Sequence, residues 1–320
     1  MLHAYSCNEQ GLRPLPVPAP DISAAIWIDL LNPDPEQVAE VEALGLTVPG
    51  LEDMEEIQLS SRLYRVGQVD YVTVVLAGPS PDGRRIMRPV CFILGPERLV
   101  TVRYHAPETF GHYPTQGGHR SLCNATPGQV AMGLVEDIVD HLADALEDIG
   151  RRLDDMSQQV FDRAGLNRAN LLQKTLENAG VLGERIGRLR LSLLTLERAL
   201  NYVDQFPGEH AAGYDTKKLA RGQARDIAAL AVHADFLSSR VTFLTDATLG
   251  LIDLEQNKAV SMLSALVALF APATLISSIY GMNFAWMPEL HSRWGFAFAI
   301  ALMIVSAGVA FLYFKRRGWL

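Results

Sequence analysis

AVSMLSALVALFAPATLISSIY, residues 259–280, runs for 22 residues without a charge. As a helix that is long enough to cross a hydrocarbon core of ~30 Å. A second uncharged run, WGFAFAIALMIVSAGVAFLYF, fills residues 294–314. Two adjacent runs of this length are hard to place in a soluble core, so both read as transmembrane helices. The short connection between them, GMNFAWMPELHSR at 281–293, carries Glu289, His291 and Arg293 as its only titratable groups.

Basic residues set the orientation. Lys258 precedes the first run, and Lys315, Arg316 and Arg317 follow the second, whereas the connection has only Arg293. Positive charge stays inside, which places the large N-terminal part and the C-terminal tail in the cytoplasm and the connection outside. Trp286, Trp294, Tyr313 and Trp319 fall where an interfacial aromatic belt is expected.

The rest of the chain narrows the function classes. Net charge is -8, and Pro14–Ser61 carries ten Asp or Glu with no Lys or Arg. Nucleic acid is a poor partner for such a surface, because binding it needs a basic patch. Acidic runs are either solvated faces or cation attractors. Cys7, Cys91 and Cys123 have neither disulfide nor zinc spacing and read as reduced thiols. The start, MLHAYSCNEQG, has neither the basic nor the apolar stretch of a secretory signal.

Residues 1–125 read as a cytoplasmic α/β domain. AAIWIDLL, YVTVVLAG, RPVCFILGP and RLVTVRYH are short strand-like runs bounded by Pro and Gly, the last two joined as a hairpin by GPER. PDPEQVAEVEAL, entered through Asn32-Pro33, and PGLEDMEEIQL read as short helices. There is no P-loop, dinucleotide fingerprint, HExxH or GxSxG, and the histidines look isolated, so no enzyme chemistry and no prosthetic group are expected. Residues 126–213 read as a long helical hairpin, Gln129–Asp162 and Arg168–Gln205. A further helix starts near Tyr214, forms a stalk over 214–258, and has no breaker strong enough to stop it before Tyr280. Pro272 is expected to kink it within the membrane, not to end it.

That long helix carries a seven-residue rhythm. Steps of four and three give Asp246, Gly250, Asp253, Asn257, Val260, Ser264, Val267, Ala271, Thr274, Ser278 and Gly281. A dry coiled coil would put Leu and Ile on this row; here it is acidic or small below the membrane and small or hydroxylic within it. Two accounts fit. One is close packing of helices through small residues. The other is a water-lined wall around a symmetry axis, which Asp246 and Asp253 favour, since a dry contact would bury their charge. Two spans per chain cannot enclose a pore, so the second account requires a cyclic oligomer. The row offers oxygen ligands and neither Cys nor His, which suits a hard cation such as Mg²⁺ better than zinc.

YGMNF followed by MPEL, set between two C-terminal spans and ahead of the basic tail FKRRGWL, resembles the CorA-type magnesium transporters. The resemblance extends more loosely through AAIWIDLLNPDPEQ, PGLEDMEEIQ, LERALNYV and LIDLEQNKAVSML. It implies an α+β cytoplasmic domain in α/β/α layers, long helices and two C-terminal transmembrane helices, assembled as a funnel-shaped homopentamer in the bacterial inner membrane. The first span (259–280) would line the pore, the loop (281–293) would close its outer mouth, the second span (294–314) would ring it, and 315–320 would be the basic cytoplasmic tail. Asn283 would take the family's outer-mouth role for hydrated Mg²⁺, with Gly281 and Met282 shaping the turn and Glu289 as the loop carboxylate. Asp246, Asp253, Asn257, Val260, Ser264, Val267, Ala271, Thr274 and Ser278 would line the pathway, with Leu263 in a hydrophobic constriction. Mg²⁺ would be both cargo and regulator, with Co²⁺ and Ni²⁺ as further cargo. The family's regulatory carboxylates would map to Glu52 and Asp53; their stalk partner falls near Gly222, which is not acidic, and Asp226 lies one turn on. A ZntB-like zinc transporter and a non-conducting membrane-anchored scaffold are the alternatives.

Overall fold

The computed structural model describes residues 1–8, 11–15, 22–56, 58–80, 83–116, 126–162, 168–205, 214–282 and 294–317. Seven strands form one mixed sheet: β1 (Leu2–Asn8), β2 (Gly11–Pro14), β3 (Trp27–Leu31), β4 (Leu63–Val66), β5 (Val69–Pro79), β6 (Arg85–Leu94) and β7 (Leu99–Arg103). Their spatial order is β2-β1-β3-β7-β6-β5-β4. Every pairing is antiparallel except β3 with β7, where Trp27 stands opposite Leu99 and Leu31 opposite Arg103. The four apolar runs of the sequence are β3, β5, β6 and β7, and GPER closes the β6–β7 hairpin through a Gly95 N–H to Arg98 carbonyl bond of 3.0 Å.

The strands are buried on both faces, so their sequences are nearly continuous apolar runs. One face, with Ile28, Leu30, Tyr71, Ile93, Val100 and Val102, packs against Val41, Leu46 and Met54 of the short-helix layer. That layer holds α1 (Pro35–Glu42), α2 (Leu51–Glu55) and α3 (Leu59–Arg62). The sequence suggests entry into α1 through Asn32-Pro33. The cap is instead Asp34, which accepts from the Gln37 N–H at 2.9 Å while the Gln37 side chain accepts from the Asp34 N–H. Asn32 serves the turn before it, at φ 44°, a left-handed conformation that Asn tolerates.

The opposite face is covered by α4 (Thr109–Gln116), α5 (Pro127–Phe161) and α6 (Arg168–Gln205). The Thr195 hydroxyl of α6 accepts from the Val75 N–H of β5 at 3.1 Å, and the Tyr202 hydroxyl reaches Asp70 at 3.4 Å. The α5 helix begins two residues before the expected Gln129, because Thr126 and Gln129 form a reciprocal capping box. Gly133 on α5 is where Tyr113 of α4 lies against the helix; a Cβ there would collide with the tyrosine hydroxyl.

A buried polar chain crosses this face. Trp27 Nε1 donates to the Thr101 hydroxyl at 3.0 Å, which donates to Asp29 at 2.8 Å. Arg103 grips the same carboxylate through Nε at 3.0 Å and Nη2 at 2.8 Å, donates to the His105 carbonyl, and lies 4.8 Å above the Phe110 ring. Asp29 is 1 % exposed and Arg103 5 %, so each charge depends on the other.

The chain divides into two compact units, 1–159 with 177–243, and 160–176 with 244–320. The first holds the sheet and its helical layers. The second holds the membrane-length helices. The α7 helix (Tyr214–Tyr280) is one element of 67 residues that continues through Pro272, about 100 Å at 1.5 Å per residue. The α8 helix (Gly295–Arg316) follows, and both are long and apolar enough to cross a membrane.

Candidate ion pathway on the long helix

Proline lacks an N–H, so Pro272 leaves the Ala268 carbonyl without its helical donor. The helix continues because neighbouring turns hold it, and the row read from the sequence therefore lies along one unbroken rod. Asp246, Gly250, Asp253, Asn257, Val260, Ser264, Val267, Ala271, Thr274, Ser278 and Gly281 are all exposed, as is Leu263 beside them. At 100° per residue, the buried Ala265 and half-buried Leu269, Pro272, Ala273 and Ile276 fall on the other side of the helix. The row is thus exposed within its own chain, as are Met262, Leu266 and Phe270 on other sides of α7. An open groove of about 580 Å³ follows it past Val267, Ala271, Thr274 and Ser278.

The chemistry of the row is acceptor-rich. The Thr274 hydroxyl donates to the Phe270 carbonyl one turn back at 2.9 Å. Its proton is used inside the helix, which leaves the oxygen lone pairs for a cation or for its water shell. Lys258 is held by Glu255 at 3.2 Å. Among the described residues, no cation pairs with Asp246 or Asp253, so two carboxylates face outward on the row.

At the top of the row the backbone explains one loop residue. The Gly281 N–H bonds the Ser277 carbonyl at 3.0 Å, and the Met282 N–H bonds Ile279 at 3.2 Å. A Cβ on Gly281 would sit 3.2 Å from the Ser277 oxygen, closer than side chains ordinarily approach. Glycine fits the end of the helix where a Cβ would press on the carbonyls of the turn before it. Met282 is exposed, and Asn283 and Glu289 lie outside the described residues.

The regulatory candidates are not gathered within one chain. Asp53 accepts from the Gly50 N–H at 3.1 Å, capping α2, while Glu52 and Asp226 are exposed. Among the described residues, no three His, Cys, Asp or Glu side chains stand close enough to hold a metal. The histidines are less isolated than the sequence suggests. His112 on α4 and His141 on α5 lie with ring centroids 6.4 Å apart, and Asp137 is one turn from His141. Sequence spacing gives no hint of this pair, because α4 and α5 meet only in the fold. A second omission lies on α7. Continuing the row from Asp246 toward the N-terminus gives Phe243, Ser239, Phe236 and Val232, of which Val232 and both Phe side chains are large and exposed.

Comparison with known proteins agrees with this architecture. The chain is 30% identical over 323 residues to the Haemophilus influenzae protein named magnesium transport protein CorA, covering all of both chains. The solved CorA magnesium transporter of Methanocaldococcus jannaschii superposes with a TM-score of 0.75 at 18% identity, over 100% of this chain and 99% of that one. The ZntB cytoplasmic domain of Vibrio parahaemolyticus shares the fold more distantly, with a TM-score of 0.56 at 11% identity over 78% of this chain and 97% of that one. The family model for CorA-like Mg²⁺ transporter protein matches residues 23–316, from just before β3 to the end of α8, and the chain belongs to that family.

Proposed function

We propose that this chain is one subunit of a homopentameric channel that carries Mg²⁺ down its electrochemical gradient through a bacterial inner membrane, with both termini in the cytoplasm. The observation that carries the reading is the uncovered row on α7, which offers oxygen and small residues from Asp246 to Ser278. Five such rows around an axis form a wet wall with carboxylates at the cytoplasmic mouth, a device that concentrates cations. Mg²⁺ gives up its water reluctantly, so neutral oxygens that hydrogen-bond to its hydration shell suit it better than direct ligands do. Asn283 would present its carboxamide at the outer mouth, with Glu289 nearby in the loop. Co²⁺ and Ni²⁺ fit the same path as hydrated divalent ions, whereas zinc finds none of its preferred sulfur or imidazole ligands on the row. The proposed divisions are a domain at 1–125, a hairpin at 126–213, a stalk at 214–258, spans at 259–280 and 294–314, an outer loop at 281–293 and a tail at 315–320.

Gating by cytoplasmic Mg²⁺ is part of the proposal. A site built between subunits would draw Glu52 and Asp53 from one copy and Asp226 from its neighbour. The carboxylates of five acidic chains repel one another, and divalent cations between them relieve that repulsion.

Purified protein in liposomes tests the reading, with flux of Mg²⁺, Co²⁺, Ni²⁺ and Zn²⁺ compared with and without a proton gradient. Mg²⁺ flux is expected, and Asn283→Ala is expected to reduce it in an intact pentamer. Asp253→Leu with Asn257→Leu separates a channel from a scaffold, because a scaffold tolerates leucine at a helix contact. Unchanged flux in Asn283→Ala sinks the outer-mouth assignment, and no flux for any ion with a pentamer present sinks the channel.

A further inference from the structure

A cavity of about 270 Å³ lies on the sheet face that carries Asp29. Strand register sets His3 opposite Asp29 and Tyr5 opposite Trp27, so these four side chains share one face, with Thr101 and Arg103 of β7 beside them. The α4 helix sits on the same face, where Phe110 and Tyr113 meet the Trp27 ring. The cavity opens next to that contact. Asp29 and Arg103 line it from the sheet, and Phe110 and Gly111 line it from α4. All of these residues belong to the first unit.

Hydrogen-bond donors are in surplus here. A guanidinium carries five N–H groups. In Arg103, the Nε–H and one N–H of Nη2 bind Asp29, and one N–H of Nη1 binds the His105 carbonyl at 3.1 Å. One N–H is left on each Nη, and among the described residues nothing accepts it. Arg103 is 5% exposed, and a donor so deeply buried ordinarily has an acceptor. The Asp29 carboxylate, in contrast, is already engaged by Thr101 and Arg103. Tyr5 and His3 line the same cavity, and among the described residues neither side chain has a hydrogen-bond partner. Burial and the nearby Asp29 raise the pKa of Tyr5, so its hydroxyl keeps the proton it can donate.

The remaining walls are flat and apolar: the rings of Tyr5 and Phe110, with Pro14. Stacking on Trp27 at 4.6 Å holds the Tyr5 ring, and the Arg103 guanidinium at 4.8 Å holds the Phe110 ring. Gly111 keeps the space open. Glycine is a poor helix former, yet it stands inside α4, and a Cβ there would meet nothing within 4 Å. Packing within the chain does not call for glycine at this position. A larger side chain would narrow the cavity.

We infer that this cavity binds a small carboxylic acid with a ring body. The carboxylate takes the two spare N–H groups of Arg103, with Tyr5 and His3 as further donors, and the ring packs on Tyr5, Pro14 and Phe110. A planar guanidinium and a planar carboxylate match in two parallel hydrogen bonds. Asp29 cancels the charge of Arg103, so directed donors make the selection, and an inorganic anion would leave the apolar walls unused. The volume lies just under the ~300–1,000 Å³ of drug-sized ligand sites, which suits a single-ring acid. The site is complete within one chain and does not depend on the pentameric reading. It makes the N-terminal domain a receptor for an organic effector.

Calorimetric titration of the full chain in detergent tests it, with benzoate as the probe and benzamide and inorganic phosphate as controls. Benzoate should bind saturably, one per chain, and neither control should. Gly111→Leu fills the cavity while improving helix propensity, so it should keep its thermal midpoint and lose benzoate binding. Tyr5→Phe removes one donor to a charged group and should weaken binding by at least about tenfold. No saturable binding of benzoate to the wild type overturns the inference. So does benzamide or phosphate binding as well as benzoate does, or an unchanged affinity in either folded variant. Should Gly111→Leu fail to fold, Tyr5→Phe decides alone.

Discussion

At the residue scale the most consequential polar group is Asp29. Its carboxylate lies almost wholly inside the sheet–helix layer, with Arg103 as its counter-charge. Removing one partner strands a charge in low dielectric, which costs about 3–5 kcal/mol, whereas replacing both by apolar groups of similar size costs far less. Arg103→Met should lower the thermal midpoint of the detergent-solubilised protein sharply, and Asp29→Leu added to it should recover most of the loss. Equal midpoints for Arg103→Met and wild type would show that the pair is not a structural lock. His105, two residues on, gives a pH signature. Its Nε2–H donates to the Leu76 carbonyl at 2.9 Å, and Nδ1 is buried without a partner among the described residues. Burial, with Arg103 and Arg88 nearby, brings its pKa down from 6.5 to about 4. The folded state therefore refuses a proton that the unfolded chain takes up below 6.5. Its stability contribution is complete above that pH and fades as the pH falls toward 4. Midpoints measured across this window should fall in wild type and fall less in His105→Gln, which keeps a donor for Leu76. Parallel slopes would refute the assignment.

At the scale of elements, legibility followed the source of each element's stability. β3, β5, β6 and β7 are buried on both faces, and burial writes itself into sequence as apolar runs. The edge strands β2 (GLRP) and β4 (LYRV) were not legible, because edges are held by backbone pairing to one neighbour and their side chains record little of it, and β1 (LHAYSCN), which lies between β2 and β3, carries no apolar run. The α4 helix hid for a similar reason. It contains Gly111 and Pro114, which local propensity reads as breakers, and it forms because Phe110 and Tyr113 pack beneath it. The α7 row was legible because a strict heptad survives in sequence whatever covers it. Its N-terminal continuation through Phe243, Phe236 and Val232 was not legible, since Val and Phe at such positions look like ordinary core until the fold shows them bare. The spatial pairing of His112 with His141, and the tight seat of Gly281 against Ser277, depend on backbone geometry that spacing does not encode.

At the scale of the whole molecule, charge is the organising quantity. A chain of net charge -8 repeated around an axis repels itself unless cations intervene. Tryptic cleavage of the N-terminal domain should slow as Mg²⁺ rises, and Glu52→Gln with Asp53→Asn should shift that protection to higher Mg²⁺. Identical cleavage at every Mg²⁺ concentration would argue against a sensing interface. The single parallel pairing in the sheet also bears on how the molecule is made. Asp29 waits for a partner 74 residues downstream. At about 5–20 residues per second, the ribosome leaves the edge of β3 bare for some 4–15 seconds. During that interval Asp29 is a solvated charge on an otherwise apolar strand, and an inward-pointing charge deters a bare edge from pairing with the wrong chain. When β7 emerges it brings Arg103, the guard is neutralised, and the sheet closes. The ion pair that holds the finished domain thus joins two residues made far apart, and Asp29 has no counter-charge in the sheet until Arg103 is made.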